Sequence, residues 1–198
     1  MTAKTKTIRS SEKTVFTLTR CGILAAMSVI LYYIEVPIIA FYKLDISALP
    51  ALLAGFAMGP IHGLAITVVK NLVHLLASSS AGVGEVADVL MSGTLVVVSS
   101  LIYRNNKTRK GAVIALVCGV VSMIIAAVLV NYFILIPAYE KLFHLDANAI
   151  IGMVGMASVD SMLKLVLLVT APFNLLKGCV ISLITFLLYK RISPLLHM

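Results

Sequence analysis

From about residue 15 onward the chain alternates between long apolar runs and short breaks rich in polar residues, glycine or proline. A hydrocarbon core of about 30 Å needs about 20 helical residues, and six runs read as spans of that kind. The first covers approximately residues 15 to 35 and ends at "IEVP", where Pro37 lacks a backbone donor and disfavours continuation. The second, "ISALPALLAGFAM", is short and stops at Gly59 and Pro60. The third, "IHGLAITVVKNLVHLLA", leads into the polar "SSSAGVGE". The fourth runs from about Val86 to Tyr103, the fifth from about Ala112 to Ile136 with Pro137 ending it, and the sixth is "TAPFNLLKGCVISLITFLLYKR", residues 170 to 191. The segment between the last two, residues 137 to 164, is moderately polar with an apolar patch and is expected to hold a short surface or capping helix.

Composition removes the alternative that these are core helices of a soluble domain. Of 198 residues, 61% are hydrophobic and 12% charged, and the mean hydropathy is +1.07. That is the profile of an integral membrane protein. The first run is longer than a signal-peptide core and no small-x-small cleavage site follows it, so it reads as a permanent helix.

The +8 formal charge then reads as orientation, since no stacking or groove-reading motif for nucleic acid accompanies it. Lys4, Lys6, Arg9, Lys13 and Arg20 precede or open the first span, Arg104, Lys107, Arg109 and Lys110 join the fourth to the fifth, and Lys190 and Arg191 follow the sixth. Six spans put all three groups on the cytoplasmic side. Asp45, Glu85, Asp88, Glu140, Asp146 and Asp160 then collect outside. The expected architecture is all-α and polytopic, with six transmembrane helices and cytoplasmic N- and C-termini.

Ionisable groups within a bilayer span are costly unless paired, snorkelling or facing a cavity. Here they are Glu35, Lys70, His74 and Lys177, with the amides Asn71, Asn131 and Asn174. Lys177 has two readings, a snorkelling stem or a ligand contact. Asn174 lies three residues before it, so both share one helical face. Asn131, in "LVNYFILIPAY", supplies an amide in the same half of the neighbouring span, either for helix–helix bonding or for a ligand. Converging, the three would suit a neutral planar ligand with carbonyl and imide edges. Lys70, Asn71 and His74 in "KNLVH" read first as an internal polar network, and Glu85 with Asp88 as an acidic pair at a helix start. Gly22 and Ala26 form a small-xxx-small face.

Cys21, Cys118 and Cys179 stand singly, without disulfide or zinc spacing, and no metal or cofactor is called for. No GxxxxGK[ST], HExxH or GxSxG is present, so ATP hydrolysis and zinc or serine hydrolase chemistry have no motif. No internal repeat of the kind seen in many secondary transporters is visible.

The series "KLDISALPALLAGFAMGPIHGLAITVVKNLVHLL", "GVGEVADVLMSG", "LVNYFILIPAY" and "TAPFNLLKGCVISLITFLLYKRISPLL" resembles the riboflavin-specific substrate-binding subunits (S-components) of bacterial energy-coupling factor (ECF) transporters. The resemblance covers the chain after about residue 15. It implies a multi-pass subunit of the bacterial cell membrane that captures riboflavin on the outer face. Energy would come from separate partners, a transmembrane coupling subunit (T-component) and two cytoplasmic ATPases. It divides the chain into a cytoplasmic tail, residues 1–14, a six-helix substrate-binding domain, residues 15–191, and a second tail, residues 192–198. It also implies flavin contacts at Asn131, Asn174 and Lys177, closure over the ligand by Leu44, Asp45 and the "GVGE" segment with Gly84 and Glu85, and ribityl contacts from Asp45, Asn71 or Glu85. Coupling-subunit contacts would fall on Gly22, Ala25 and Ala26, although no AxxxA repeat is present there.

Three rivals remain open at this point. One is an S-component for FMN or another vitamin, with Lys43, Lys141 and Lys164 as the candidates for a phosphate. The others are a small membrane enzyme using His74, Glu85 and Asp88, and a purely structural assembly subunit.

Overall fold

A computed structural model describes residues 3–39, 42–156 and 158–197. The first helix, α1, spans Ala3–Tyr33. It begins well before the apolar run, because nothing in the polar stretch that precedes it breaks a helix. The side chains of Lys4, Lys6, Arg9, Lys13, Lys190 and Arg191, which carry much of the expected charge asymmetry, lie outside the described residues.

After α1 the connection expected as a plain loop forms a hairpin. Strand β1 (Val36–Ile39) pairs antiparallel with β2 (Tyr42–Leu44), with Val36 opposite Leu44 and Pro37 opposite Lys43. Pro37 is tolerated because this two-stranded ribbon is all edge. The second helix, α2, spans Ala48–Met58 and is separated from α3 (Pro60–His74) by Gly59 alone. Gly59 adopts φ 105°, a conformation that L side chains rarely take, and Pro60 then opens α3 with its φ already set.

The remaining chain forms α4 (Val83–Asn105), α5 (Arg109–Val130), α6 (Ile136–Phe143), α7 (Ala147–Val154), α8 (Met162–Leu165) and α9 (Ala171–His197). Two π-helical turns, Asn131–Leu135 and Val166–Thr170, join α5 to α6 and α8 to α9 without a break in the helix. Pro137 therefore does not end the fifth helix as expected. It falls in the first turn of α6, just after the wide turn in which the Ile136 N–H reaches back to the Asn131 carbonyl. The ladder is already rearranged there, so the missing proline donor breaks little. The expected short helix between the last two spans is α7.

Among the described residues, five helical stretches are long and apolar enough to cross a membrane: Thr14–Tyr33, Pro60–Ala77, Val83–Asn105, Arg109–Phe143 and Met162–Tyr189. The apolar α2, with 11 residues, is the short one. It reaches only about 16 Å, about half a hydrocarbon core. Its role is to fill the bundle: every residue from Ala48 to Phe56 is buried, as expected of a helix apolar on all sides. Gly63 lets α3 pack tightly on it, since a Cβ there would lie 2.7 Å from the Ala51 carbonyl oxygen and 2.5 Å from Val96 Cγ1. The main core joins Leu24, Leu52, Ile66, Leu95, Val96, Met123 and Ile181 from all the long helices. A smaller cluster of Tyr42, Ile150, Val159, Leu165 and Phe173 fastens the hairpin and α7 to the base of α9. The apolar residues outside these cores point outward, among them Phe16, Ile23 and Ile30 on α1 and Val117, Val121 and Ile125 on α5. So much exposed apolar surface needs a lipid solvent.

Candidate ligand-binding pocket

At the hairpin end of the bundle, α1, α3, α4, the α5–α6 turn and α9 surround a pocket of about 870 Å³, its open mouth included. Of the residues expected to bind, Asp45, Gly84, Glu85, Asn131, Asn174 and Lys177 lie on its wall. Asn131 and Asn174 are thus brought together from helices far apart in the chain, and both are almost wholly buried. Each sits beside a π turn, Asn131 opening one and Asn174 following the other by one helical turn. Each donates one amide hydrogen to the carbonyl a turn earlier, Asn131 to Ala127 at 2.8 Å and Asn174 to Thr170 at 2.9 Å. The amide planes are thereby oriented. Asn174 keeps a second hydrogen and its acceptor oxygen, whereas Asn131 turns its other hydrogen toward Met91 Sδ at 3.7 Å, and its oxygen retains one lone pair beyond the long bond from Tyr42.

Lys177 does not snorkel. Its Nζ lies 2.7 Å from Asp45 Oδ2 and 3.4 Å from Asp88 Oδ1. Asp88 Oδ2 is held by Lys70 at 2.8 Å and by the Asn71 amide at 2.9 Å. Lys70 also donates to Ser47 Oγ at 2.5 Å, and that hydroxyl donates to Asp45 Oδ1 at 2.5 Å. These bonds close a ring, Lys70–Asp88–Lys177–Asp45–Ser47, that ties the hairpin linker to α3, α4 and α9. The first helix joins it through Ser28 Oγ, which donates to the Ser47 carbonyl, and through the Tyr32 ring, whose centroid is 4.5 Å from Lys70 Nζ. Every carboxylate oxygen in the ring accepts from a cation or a neutral donor, and Ser92 adds a bond to Asp88 Oδ1. Burial of four charges is tolerable only where each is paired with an opposite charge in this way.

The two lysines are not equivalent. Lys70 is 0% exposed and lies behind the wall, its ammonium directed at Ser47, Asp88 and Tyr32. Lys177 is on the wall and spends two of its three N–H donors on Asp45 and Asp88. One donor is left for a ligand.

Two expected contacts fall elsewhere. Asn71 is buried behind Asp88, not on the pocket wall, because its amide nitrogen is drawn to Asp88 and to the Thr67 carbonyl. Leu44 packs against the small core around Tyr42, while its neighbours Lys43 and Asp45 line the pocket. On α1, Gly22 and Ala26 are exposed and Ala25 packs against the main core.

The rest of the wall was not singled out from sequence: Tyr32, Tyr42, Tyr139 and Phe173 as aromatic surface, with Met91 and Leu135. The pairing of "YY" with Glu35 at the end of the first span was the one available signal for Tyr32. Tyr42 carries the hairpin into the site: its hydroxyl contacts Thr170 Oγ1 and donates to Asn131 Oδ1 at 3.4 Å, and its ring lies 5.2 Å from Phe173. At the mouth, Lys43 pairs with Glu35, and Glu85 accepts from Ser78, Ser80 and, through Oε1, lies 2.8 Å from His74 Nδ1. His74 stacks on Tyr32 at 3.9 Å. The residues a membrane enzyme would have used are therefore all engaged in this network. Among the described residues no group of three metal-ligating side chains occurs.

Amides, an ammonium and aromatic rings thus share one wall, the groups that a flat ligand with a hydrogen-bonding edge requires. Residues 16–189 match the family described as "ECF transporter, substrate-specific component". The chain is 31% identical over 179 residues to the riboflavin transporter RibU of Staphylococcus aureus, covering 88% of this chain and 89% of that protein. It is 28% identical to the riboflavin transporter FmnP of Bacillus subtilis, over 78% of each. A solved structure described as the S component of a bacterial ECF transporter superposes with a TM-score of 0.72 at 29% identity, over 93% of this chain and 99% of that one. These are transport components and not enzymes, and the chain belongs to the substrate-specific components of ECF transporters.

Proposed function

We propose that the chain captures riboflavin at the hairpin end of the bundle, as the substrate-binding subunit of an ATP-driven ECF transporter in a bacterial cell membrane. The observation that carries this reading is the convergence of Asn131, Asn174 and Lys177 on one pocket. The isoalloxazine ring presents an acceptor–donor–acceptor edge. The Asn174 amide with a free donor and acceptor, the Asn131 oxygen and one ammonium donor complement it, with the weak Asn131–Met91 contact exchangeable for a ligand carbonyl. Tyr32, Tyr42, Tyr139 and Phe173 supply apolar surface for the ring. Asp45, Glu85 and Ser80 are the partners for ribityl hydroxyls.

The mouth favours riboflavin over its phosphate. Of the three lysines that could hold a phosphate, Lys43 lines the pocket but is paired with Glu35, and Lys164 is engaged by Asp160 at 2.5 Å. Lys141 is absent from the pocket lining.

In this reading the short α2, together with the hairpin that precedes it, takes the place of a sixth span, the termini are cytoplasmic and the hairpin end faces outward. ATP hydrolysis belongs to two cytoplasmic partners, reached through a T-component that docks on α1 at Gly22, Ala25 and Ala26. The exposure of α1 supports that docking face: 11% of its apolar window is buried, against 28% or more for the other spans. Closure of residues 37–47 and 78–85 over the vitamin precedes reorientation of the whole subunit. Cross-links showing a fixed tilt of α1 through a turnover cycle would exclude that reorientation.

The chain has no tryptophan, so binding is best read from the flavin itself. Purified protein titrated with riboflavin should quench flavin fluorescence to a saturable end point, because the ring is stacked among tyrosines. Fluorescence that stays proportional to added riboflavin at micromolar protein refutes the assignment.

A further inference from the structure

We propose that Asp88, together with Lys70, determines specificity: the pair holds the pocket floor at zero net charge, which admits an uncharged flavin and disfavours its phosphate monoester. This inference rests on the riboflavin reading and deepens it. Asp88 lies on the pocket wall at 5% exposure, within the ring of two lysines and two aspartates. Without Asp88, Lys70 and Lys177 would outnumber Asp45, and the floor would carry one positive charge. Without Lys70, the floor would carry one negative charge. The neighbouring charges leave the differences between variants intact, since Lys43 is neutralised by Glu35 and the Glu85–His74 pair is the same in all of them.

A phosphate monoester carries about −1.5 to −2 charge at neutral pH. In a pocket walled by apolar helices, a unit charge about 10 Å from it changes relative affinity by about tenfold or more, even after partial screening. Riboflavin, being neutral, feels the same change far less. The two substitutions should therefore move selectivity in opposite directions, which a purely structural role for the pair does not produce. Lys70 acts through Asp88 and does not touch ligand, so it is a positioning residue here.

The experiment measures riboflavin and FMN dissociation constants by flavin quenching for wild type, Asp88→Asn, Lys70→Met and the double variant. The ratio of FMN to riboflavin dissociation constants should fall by about tenfold in Asp88→Asn, rise in Lys70→Met and return to within about threefold of wild type in the double variant. Equal weakening of both flavins, or a shift of the ratio in the same direction in both single variants, overturns the proposal while leaving riboflavin binding standing. Wild-type protein that quenches neither flavin overturns the riboflavin reading itself and this inference with it. If Asp88→Asn does not purify as a monodisperse species, Lys70→Met and the double variant decide: an unchanged ratio in Lys70→Met overturns the proposal.

Discussion

Removing the Lys177 ammonium should be the most damaging single change at the pocket, for a reason separate from ligand contact. Lys177→Met keeps most of the side-chain length and deletes the charge that sits 2.7 Å from Asp45 and 3.4 Å from Asp88. At an effective dielectric near 20, the gross attractions are about 6 and about 5 kcal/mol. Much of that only offsets desolvation, so the net cost is nearer the about 3–5 kcal/mol typical of stranding a buried charge. The stranded group is Asp45, whose Oδ2 accepts from Lys177 and whose Oδ1 is held by Ser47. Asp88 keeps Lys70, Asn71 and Ser92. Thermal unfolding in detergent should drop by about 6–20 °C, at about 2–4 °C per kcal/mol for a chain of this size. Adding Asp45→Asn should recover part of the loss, because the uncompensated carboxylate is gone, yet leave riboflavin affinity impaired. A Lys177→Met protein melting within about 2 °C of wild type would refute the ring as a structural element, and unchanged riboflavin affinity would refute Lys177 as a ligand contact.

Asn131→Ala and Asn174→Ala should each weaken riboflavin by about 1–3 kcal/mol in a quenching titration, whereas Asn71→Ala, behind the wall, should change affinity far less; equal effects at all three positions would mean the pocket is misassigned. Gly63→Ala should destabilise the fold by about 1–3 kcal/mol, because its Cβ meets Ala51 and Val96, while Gly22→Leu, with nothing within 4 Å of a Cβ, should melt like wild type and bind riboflavin normally but fail to co-purify with a T-component. The exposed Asp160 is held below the ordinary carboxylate range, chiefly by its hydrogen bond from Lys164. Any stability from that pair is present above the unfolded pKa and lost as pH falls through the folded one. Its carboxyl NMR titration should move up to the ordinary midpoint in Lys164→Ala with no measurable change in melting, as expected for a solvated surface pair.

Much of the fold was legible because burial in lipid acts on local composition. An apolar run of about 20 residues is a sufficient instruction to form a span, and Gly59 followed by Pro60 marks a break in any context. The spacing of Asn174 and Lys177 placed them on one face for the same local reason. Harder to see was the hairpin at residues 36–44, whose apolar residues pass for the tail of a span. The π turns were invisible too. One extra residue in a turn rotates everything beyond it by about 100°, and it is this that sets the face Asn174 and Lys177 present relative to α8.

Sequence alone therefore determined that this chain is a membrane bundle, where its long helices lie, and that Asn131, Asn174 and Lys177 are the polar groups to watch. Tertiary structure alone decided what those groups face. Lys177 meets Asp45 across 132 positions of chain and Asp88 across 89, and Asn71, expected at the ligand, is taken up by Asp88 instead. Helix periodicity specifies which side chains share a face, but not how one helix is rotated against the next. That rotation comes from packing all the helices at once, and here it assembles four buried charges into a neutral ring beneath the pocket.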